Sequence, residues 1–262
     1  MNFYIIMYMK IYVSLTSIFQ KQKHLLNTLH SISNQSLKPD KCFIYLSEQP
    51  YLLDKGFKDK YINNELKQFI DNNPIFQIRW CENIGPYRKL LYLLKEKWNE
   101  DCLILTIDDD CFFHPNLIQD YVNDYNKYKC CISYRGCSHD FKQQDFSDFH
   151  YEKRKPIVLK NLFNFANSGV GTVTHPSFFH KTKNLIFDLN LINELCKTTD
   201  DIWYYFCRIA NNIDTVLICK HHYFQFNFNN FNETALYVNF NNRKDTNTIN
   251  FKNTAKKFIQ LK

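Results

Sequence analysis

The chain has 262 residues, 45% of them hydrophobic, with 24 Phe and 17 Tyr. This composition excludes an intrinsically disordered chain and supplies enough apolar side chains for a sizeable core. The formal net charge of +7 permits an acidic partner such as a nucleotide diphosphate, a nucleic acid or an anionic membrane surface. Lys and acidic residues are interspersed without a basic block, so the charge alone does not select among these partners.

The length predicts one α/β domain over residues 1–262, with a core at about 10–220 and a C-terminal extension at 221–262. The apolar stretch before Lys10 is too short to span a membrane and lacks the features of a signal peptide. We interpret it as leading into the first strand. No later segment has the length of a membrane span, so we expect no transmembrane segment and leave peripheral membrane contact open.

Ten Cys are scattered along the chain without a paired C-x-x-C framework, and several lie in apolar runs. This usage indicates a reducing compartment and predicts a cytoplasmic protein. A zinc site on Cys130, Cys131, Cys137 and His139 is disfavoured, because adjacent cysteines are poor tetrahedral ligands.

In the first half of the chain, short β-branched or apolar runs alternate with segments whose apolar residues have helical spacing. Strands are predicted at 10–14, 42–46, 75–79 and 102–107, and helices at 20–32, 61–70 and 87–98. This alternation implies right-handed crossovers and a mostly parallel central sheet flanked by helices. Ligands of such sheets lie beyond the carboxyl ends of the strands, where Asp108, Asp109 and Asp110 occur.

The second half is less regular. A helix at 115–125 and a strand at 130–134 precede a polar, aromatic and basic segment at 135–156 without clear periodicity. A loop of that length is usually functional or mobile. A strand is predicted at 169–174, and Thr199 is a good N-cap for a helix at 200–212. Beyond residue 221 the chain is rich in Asn and aromatic residues, and its pattern does not predict a helix or a strand.

Three consecutive aspartates place like charges within a few ångströms, which is unfavourable unless a cation or hydrogen-bond donors compensate them. Asp108 and Asp110 suit a hard divalent ion, Mn²⁺ or Mg²⁺, that also binds diphosphate oxygens. The alternative is a turn in which Asp caps the next element. Because the run directly follows an apolar strand, we favour the metal site.

Two further pairs invite both a structural and a functional interpretation. Asp200 and Asp201 open a predicted helix, where the dipole and the Thr199 cap favour acidic residues for structural reasons alone. Arg88 and Lys89 lie in a first helical turn against the dipole's preference, which suggests that they face an anion.

Small residues and histidines are the remaining candidates. Gly169 and Gly171 would let the backbone approach a ligand, or would form a bulge. His221 and His222 follow a strand-like run, and each is either a metal ligand or a surface imidazole, with the second interpretation favoured.

Six sequence motifs occur in the following order along the chain: KIYVSLT, SISNQSLKPDKCFIYLSE, NIGPYRKLLYLL, ILTIDDDCFFHP, NSGVGTVTHPSFF and TTDDIWYY. In this order they resemble the family-2-like glycosyltransferases with the GT-A fold, over about residues 10–220. The resemblance implies transfer of a sugar, with inversion, from a nucleotide-diphospho-sugar to a hydroxyl of a glycan or another acceptor. A divalent metal would assist.

The resemblance also implies roles for individual residues. Asp201 would be the general base, with Asp200 as the other member of the catalytic pair, and we expect Asp110 and Asp201 to face one cleft. Asp108 and Asp110, with His222, would hold the metal. Residues 135–156 could close over the donor. The substrate-binding set would be Ser14, Thr16, Arg88, Lys89, Asp108, Asp109, Gly169, Gly171 and Trp203.

Other classes of protein stay open at this point. A non-catalytic nucleotide- or carbohydrate-binding protein could share the fold. A nucleic-acid-binding module would use the positive charge and the many Tyr and Phe to stack bases, but these residues look distributed through the core, so we expect no nucleic-acid partner. A phosphatase-like metal hydrolase is a less favoured alternative. The aspartate motif of such enzymes follows the first strand, whereas here the aspartates follow the fourth.

Overall fold

The computed structural model of the protein describes residues 9–138, 159–218, 224–226, 235–241 and 246–259. His221, His222 and most of the segment predicted to be a loop, residues 139–156, lie outside the described residues. No helix within the described ranges is long and apolar enough to cross a membrane.

Eight α-helices and twelve strands are described. The helices are α1 (Gln22–Ser33), α2 (Asn64–Asp71), α3 (Arg88–Glu96), α4 (Leu117–Tyr128), α5 (Lys183–Ile186), α6 (Leu189–Leu195), α7 (Asp200–Ala210) and α8 (Thr246–Ile259). The strands are β1 (Lys10–Thr16), β2 (Lys41–Leu46), β3 (Phe76–Trp80), β4 (Cys102–Thr106), β5 (Cys111–Phe113), β6 (Cys131–Ser133), β7 (Gly136–Ser138), β8 (Leu159–Asn161), β9 (Asn164–Ala166), β10 (Thr172–Thr174), β11 (Thr215–Leu217) and β12 (Phe224–Phe226).

Eight of these strands form the central sheet, in the order β3-β2-β1-β4-β10-β6-β11-β8. The first four in this order are mutually parallel, and β6 and β11 are parallel to each other. Strand β10 runs antiparallel to both of its neighbours, and β8 is antiparallel to β11. Two small antiparallel sheets, β5 with β12 and β7 with β9, complete the described strands. The predicted α/β class with a mostly parallel sheet is confirmed.

The core follows from the apolar runs that the sequence predicted as strands and helices. Strand β4, CLILT, is buried at every position, as expected of a central strand covered on both faces. Helix α3 contacts β1, β2 and β4, and its four leucines are buried. Each fully buried Leu contributes about 1.5–3 kcal/mol relative to an exposed one. Helix α3 is therefore fixed firmly against the strands whose ends carry the acidic residues.

Three features of the second half differ from the sequence predictions. Residues Ser168–Val170 form a 3₁₀ turn, and β10 begins only after Gly171, whose φ of +116° interrupts the strand. Thr199 is the N-cap residue of α7, but its hydroxyl does not cap the helix and instead donates to Asn247 Oδ1 at 3.0 Å. The Asn-rich tail, which predicted no element, contains α8.

Candidate functional site

The three aspartates lie at the carboxyl ends of the neighbouring parallel strands β1 and β4, where Ser14 is aligned with Thr106. The chain leaving β1 brings Lys21 back to this edge. Its ammonium lies 2.9 Å from Asp110 Oδ2 and 3.5 Å from Asp109 Oδ1. The like charges of the aspartate run are thus partly compensated by a lysine that the sequence analysis did not identify.

Asp109 is buried and accepts a hydrogen bond of 2.5 Å from the Ser17 hydroxyl. Burial raises the pKa of Asp109, and Asp110 and Asp108 raise it further, although Lys21 and Ser17 oppose this; the resulting pKa is about 6. Asp109 is therefore a carboxylate that is held ionised at neutral pH chiefly by Lys21 and Ser17.

Lys89 connects the aspartate run to the start of α7. Its ammonium lies 3.0 Å from Asp108 Oδ1 and 3.3 Å from Asp200 Oδ2. Burial lowers the pKa of Lys89, but Asp108, Asp200 and Asp201 outweigh it and hold that pKa well above its ordinary value. The Ser14 hydroxyl donates to the Lys89 carbonyl at 2.5 Å and so fixes the beginning of α3. Lys89 is a permanent positive charge shared by two carboxylates.

The two carboxylates that share Lys89 differ in their surroundings. The Asp108 side chain is 44% exposed and that of Asp200 is 8% exposed. For Asp108, burial raises the pKa, but Lys89 outweighs it and the pKa is lowered. For Asp200, burial raises the pKa to about 7, with Asp201 and Asp108 adding to the increase. One ammonium charge cannot fully compensate both, and the less hydrated carboxylate is the one whose ionisation becomes unfavourable.

Asp201 is half-buried and is oriented by the 3₁₀ turn that precedes β10. The Ser168 backbone N–H and hydroxyl donate to its Oδ1 at 3.0 and 2.5 Å. Among the described residues, no hydrogen bond is made to Asp201 Oδ2. Asp201 is therefore a positioned carboxylate with one oxygen available. The distance between Asp110 and Asp201 stays a prediction, although Asp108 and Asp201 both act on Lys89.

Gly169 and Gly171, the two glycines of the NSGVGT segment, have different structural roles. The Gly169 carbonyl accepts a hydrogen bond of 2.9 Å from the Asp108 N–H, and a Cβ at Gly169 would lie 2.5 Å from Asp108 Oδ2. The absence of a side chain here leaves room for Asp108. Gly171 has positive φ, and a Cβ there would lie 2.8 Å from the Tyr121 hydroxyl, so its task is local packing.

Arg88 faces an anion, as its position in the first turn suggested, but that anion is a protein carboxylate. Its guanidinium lies 3.0 Å from Asp54 Oδ2, and both side chains are at most 2% exposed. A second bond of 3.3 Å reaches the Ser17 carbonyl. Arg88 therefore connects α3 to the loops after β1 and β2, and its burial gives it no direct access to a diphosphate.

Two other expected substrate-binding residues are placed by packing. Trp203 is fully buried, and its indole donates to the Ile186 carbonyl at 3.2 Å and packs edge-on against Phe258. This is a correction of its assignment to the substrate, because it has no exposed surface. The Thr16 hydroxyl donates to the Tyr45 carbonyl at 2.8 Å and connects β1 to β2.

The carboxylates have the right chemistry for Mg²⁺ or Mn²⁺ but not a suitable arrangement. Asp108 is paired with Lys89, and Asp110 with Lys21, so the two expected ligands face different ammonium groups. Within the described ranges, no group of three or more His, Cys, Asp or Glu side chains could hold a metal ion. The third expected ligand, His222, lies outside those ranges. As described, this cluster is an ion-pair network in which both expected metal ligands are already paired with lysines, and their role as metal ligands stays a prediction.

Three residues of the network were absent from the sequence prediction: Ser17, Lys21 and Ser168. The signal for Ser17 and Lys21 was the general requirement that adjacent carboxylates be compensated, and Ser168 lies within the NSGVGT segment, although its role was not predicted. Their partners are 92, 89 and 33 positions away in the sequence, and without the sheet order no local pattern connects them.

Comparison with known proteins identifies the fold. No family model and no curated protein matches this sequence. Solved structures do match: S. aureus TarS 1-349 in complex with UDP has a TM-score of 0.53 at 14% identity, covering 82% of this chain and 60% of that one. TarS 1-349 in complex with UDP-GlcNAc has a TM-score of 0.51 at 12% identity, covering 82% and 58%. A further TarS structure has a TM-score of 0.55 at 13% identity, covering 86% and 38%.

The chain has a GT-A-like fold, which it shares with these structures. It spans 60% of the length of the TarS 1-349 structure in complex with UDP. At identities of this size the likeness extends to the fold, and the chemistry has to be argued from the chain's own residues.

Proposed function

We propose that the protein is a glycosyltransferase that moves a sugar, with inversion, from a nucleotide-diphospho-sugar to an acceptor hydroxyl. One observation carries this proposal: on a GT-A-like fold, Lys89 joins a carboxylate beyond the end of β4, Asp108, to the acidic pair that opens α7. A donor-side carboxylate and an acceptor-side carboxylate then belong to one site at the ligand-binding edge of the sheet.

Asp201 is the general base of the proposed reaction. It takes the proton from the acceptor hydroxyl, whose oxygen attacks the anomeric carbon as the bond to the diphosphate breaks on the opposite face. Ser168 holds Oδ1 with two hydrogen bonds, which fixes the carboxylate and leaves Oδ2 for the acceptor. Asp200 is too buried for direct proton transfer from an acceptor and serves to position Lys89.

The donor lies against Asp108, and the ammonium groups of Lys21 and Lys89 lie behind the carboxylates. Asp108 is 44% exposed, whereas Asp109, Asp110 and Asp200 are 8–9% exposed, so Asp108 can accept hydrogen bonds from a ribose or sugar hydroxyl. Fixed ammonium groups near the departing diphosphate stabilise its developing charge, an effect that is strong in a site shielded from water. TarS, which shares the fold, binds UDP and UDP-GlcNAc, and a uridine nucleotide is the first donor to test.

The expected Mn²⁺ or Mg²⁺ is not part of this mechanism, because Lys21 and Lys89 already bond to the carboxylates expected to hold it. The acceptor is a glycan or another hydroxyl compound. The cytoplasmic location stays a prediction from the scattered thiols, and most of the nine described cysteines are buried.

The test begins with binding. UDP, GDP, CDP and ADP are titrated by calorimetry, and the corresponding nucleotide sugars are then used in donor-hydrolysis and acceptor-screening assays. In the active combination, Asp201→Asn should reduce turnover by about 10²–10⁴-fold while donor binding is unchanged. Asp200→Asn is the matched control in the same helical turn and should retain more turnover.

A different result selects a different function. Nucleotide binding that is unchanged in Asp201→Asn, with no transfer by the wild-type protein to any acceptor, supports the non-catalytic binding protein. Failure to bind any nucleoside diphosphate refutes the proposal. The nucleic-acid alternative needs an exposed aromatic face, whereas the exposed large hydrophobic side chains of the described residues include only two Tyr and one Phe.

A further inference from the structure

The burial and the ion pairs of Lys21 matter for the free protein as well as for the proposed reaction. It ends the short helical turn between β1 and α1, and its side chain is only 14% exposed. Its ammonium lies between two carboxylate side chains that are each 9% exposed, 2.9 Å from Asp110 and 3.5 Å from Asp109. A lysine is rarely buried to this extent unless it is paired.

The charge of Lys21 is fixed by these neighbours. Burial lowers its pKa, but Asp109, Asp110 and Asp108 outweigh burial and raise the pKa above its ordinary value. The ammonium therefore remains protonated at neutral pH. It lies where oxygen ligands from adjacent carboxylates converge, the kind of place that a hard cation occupies in other proteins.

We propose that Lys21 is a built-in counter-ion that holds the cation position beside Asp109 and Asp110. The free protein then binds no divalent ion there, and loss of the Lys21 charge creates a divalent-cation site. An ammonium and a divalent ion that lie between the same two carboxylates compete for the same oxygens and repel each other. This inference concerns the protein without nucleotide and holds whether or not sugar transfer is the reaction.

The experiment is a titration of the nucleotide-free protein with Mn²⁺, in which free Mn²⁺ is measured by electron paramagnetic resonance. Lys21→Met should bind one Mn²⁺ at least about tenfold more tightly than the wild-type protein, because a charge that repels the ion has been removed. Lys21→Arg, which keeps the charge, and Lys23→Met, which removes an exposed lysine two positions later, should behave like the wild type. Adding Asp110→Asn to Lys21→Met should abolish the new site.

Two results would overturn the proposal: saturable Mn²⁺ binding by the wild type that Asp110→Asn abolishes, or no gain of binding in a folded Lys21→Met protein. If Lys21→Met does not fold, the wild type and Asp110→Asn decide the question, since the absence of binding by both supports the proposal. Because no nucleotide is present, none of these outcomes bears on the glycosyltransferase proposal, which fails or survives on the nucleotide titrations.

Discussion

Asp200 is predicted to lower the stability of the folded protein at neutral and alkaline pH, and Asp200→Asn should reverse that effect. The carboxyl group is buried, and burial together with Asp201 and Asp108 raises its pKa to about 7. In the unfolded chain an aspartate has a pKa of about 3.9. The folded protein therefore holds a proton between about pH 4 and pH 7 that the unfolded chain releases, and stability falls as pH rises through this range.

The magnitude follows from that difference. About three pKa units, at about 1.36 kcal/mol each, give about 4 kcal/mol of destabilisation above pH 7 and nothing below about pH 4. Asparagine has nearly the same shape as the protonated acid and does not ionise. Lys89 keeps Asp108 as its partner in the variant. The free energy of unfolding of Asp200→Asn should therefore exceed that of the wild type by an amount that grows with pH and reaches about 4 kcal/mol at pH 8.

Urea titrations of both proteins at pH 5, 6, 7 and 8 measure the difference. Asp201→Asn is the comparison variant: an asparagine Oδ1 can accept the same two hydrogen bonds from Ser168, and the variant removes only the contribution of Asp201 to the raised pKa of Asp200. Its gain in stability with pH should therefore be smaller than that of Asp200→Asn. The reasoning is refuted if Asp200→Asn is less stable than the wild type at pH 8, or if the difference between them is the same at pH 5 and pH 8.

Two further predictions follow from the glycine and arginine contacts. Gly169→Ala should reduce turnover by about tenfold or more, because the new Cβ lies 2.5 Å from Asp108 Oδ2 and displaces that carboxylate; steady-state kinetics measure this, and unchanged turnover would contradict it. Arg88→Met should lower the free energy of unfolding by about 3–5 kcal/mol, because the buried carboxylate of Asp54 loses its ion-pair partner and keeps only hydrogen bonds from Phe19, Gly56 and Asn83. Urea titration measures this loss, and a variant as stable as the wild type would show that Asp54 is compensated in another way.

The sequence predicted the elements whose periodicity is strong. The leucines of α3 recur at helical spacing, and β1, β2 and β4 are apolar runs of at least five residues. These patterns are long enough to assign the type of each element. Strands such as β7, β8 and β9 have three residues each, too few to show a period. Their existence depends on partners that only the folded sheet supplies.

The site was predicted less completely than the fold, for a related reason. The position of Asp108 after β4 could be predicted, because the ends of parallel strands converge. The requirement for positive charge beside the aspartates was also evident, but its source was not: a metal was expected, and Lys21 and Lys89 lie there instead. Lys21 and Asp110 are separated by 89 positions in the sequence. Only the pairing of β1 with β4 brings the two residues together.

The reversed direction of β10 bears on how the protein could be re-engineered. In an all-parallel sheet, each ligand-facing loop follows a strand, so a change in its length alters the path to the next helix. The turn that holds Asp201 instead precedes its strand, and β10 is bonded to β4 on one side and β6 on the other. The chain that precedes β8 could therefore be lengthened or shortened while the aspartates after β4 keep their positions.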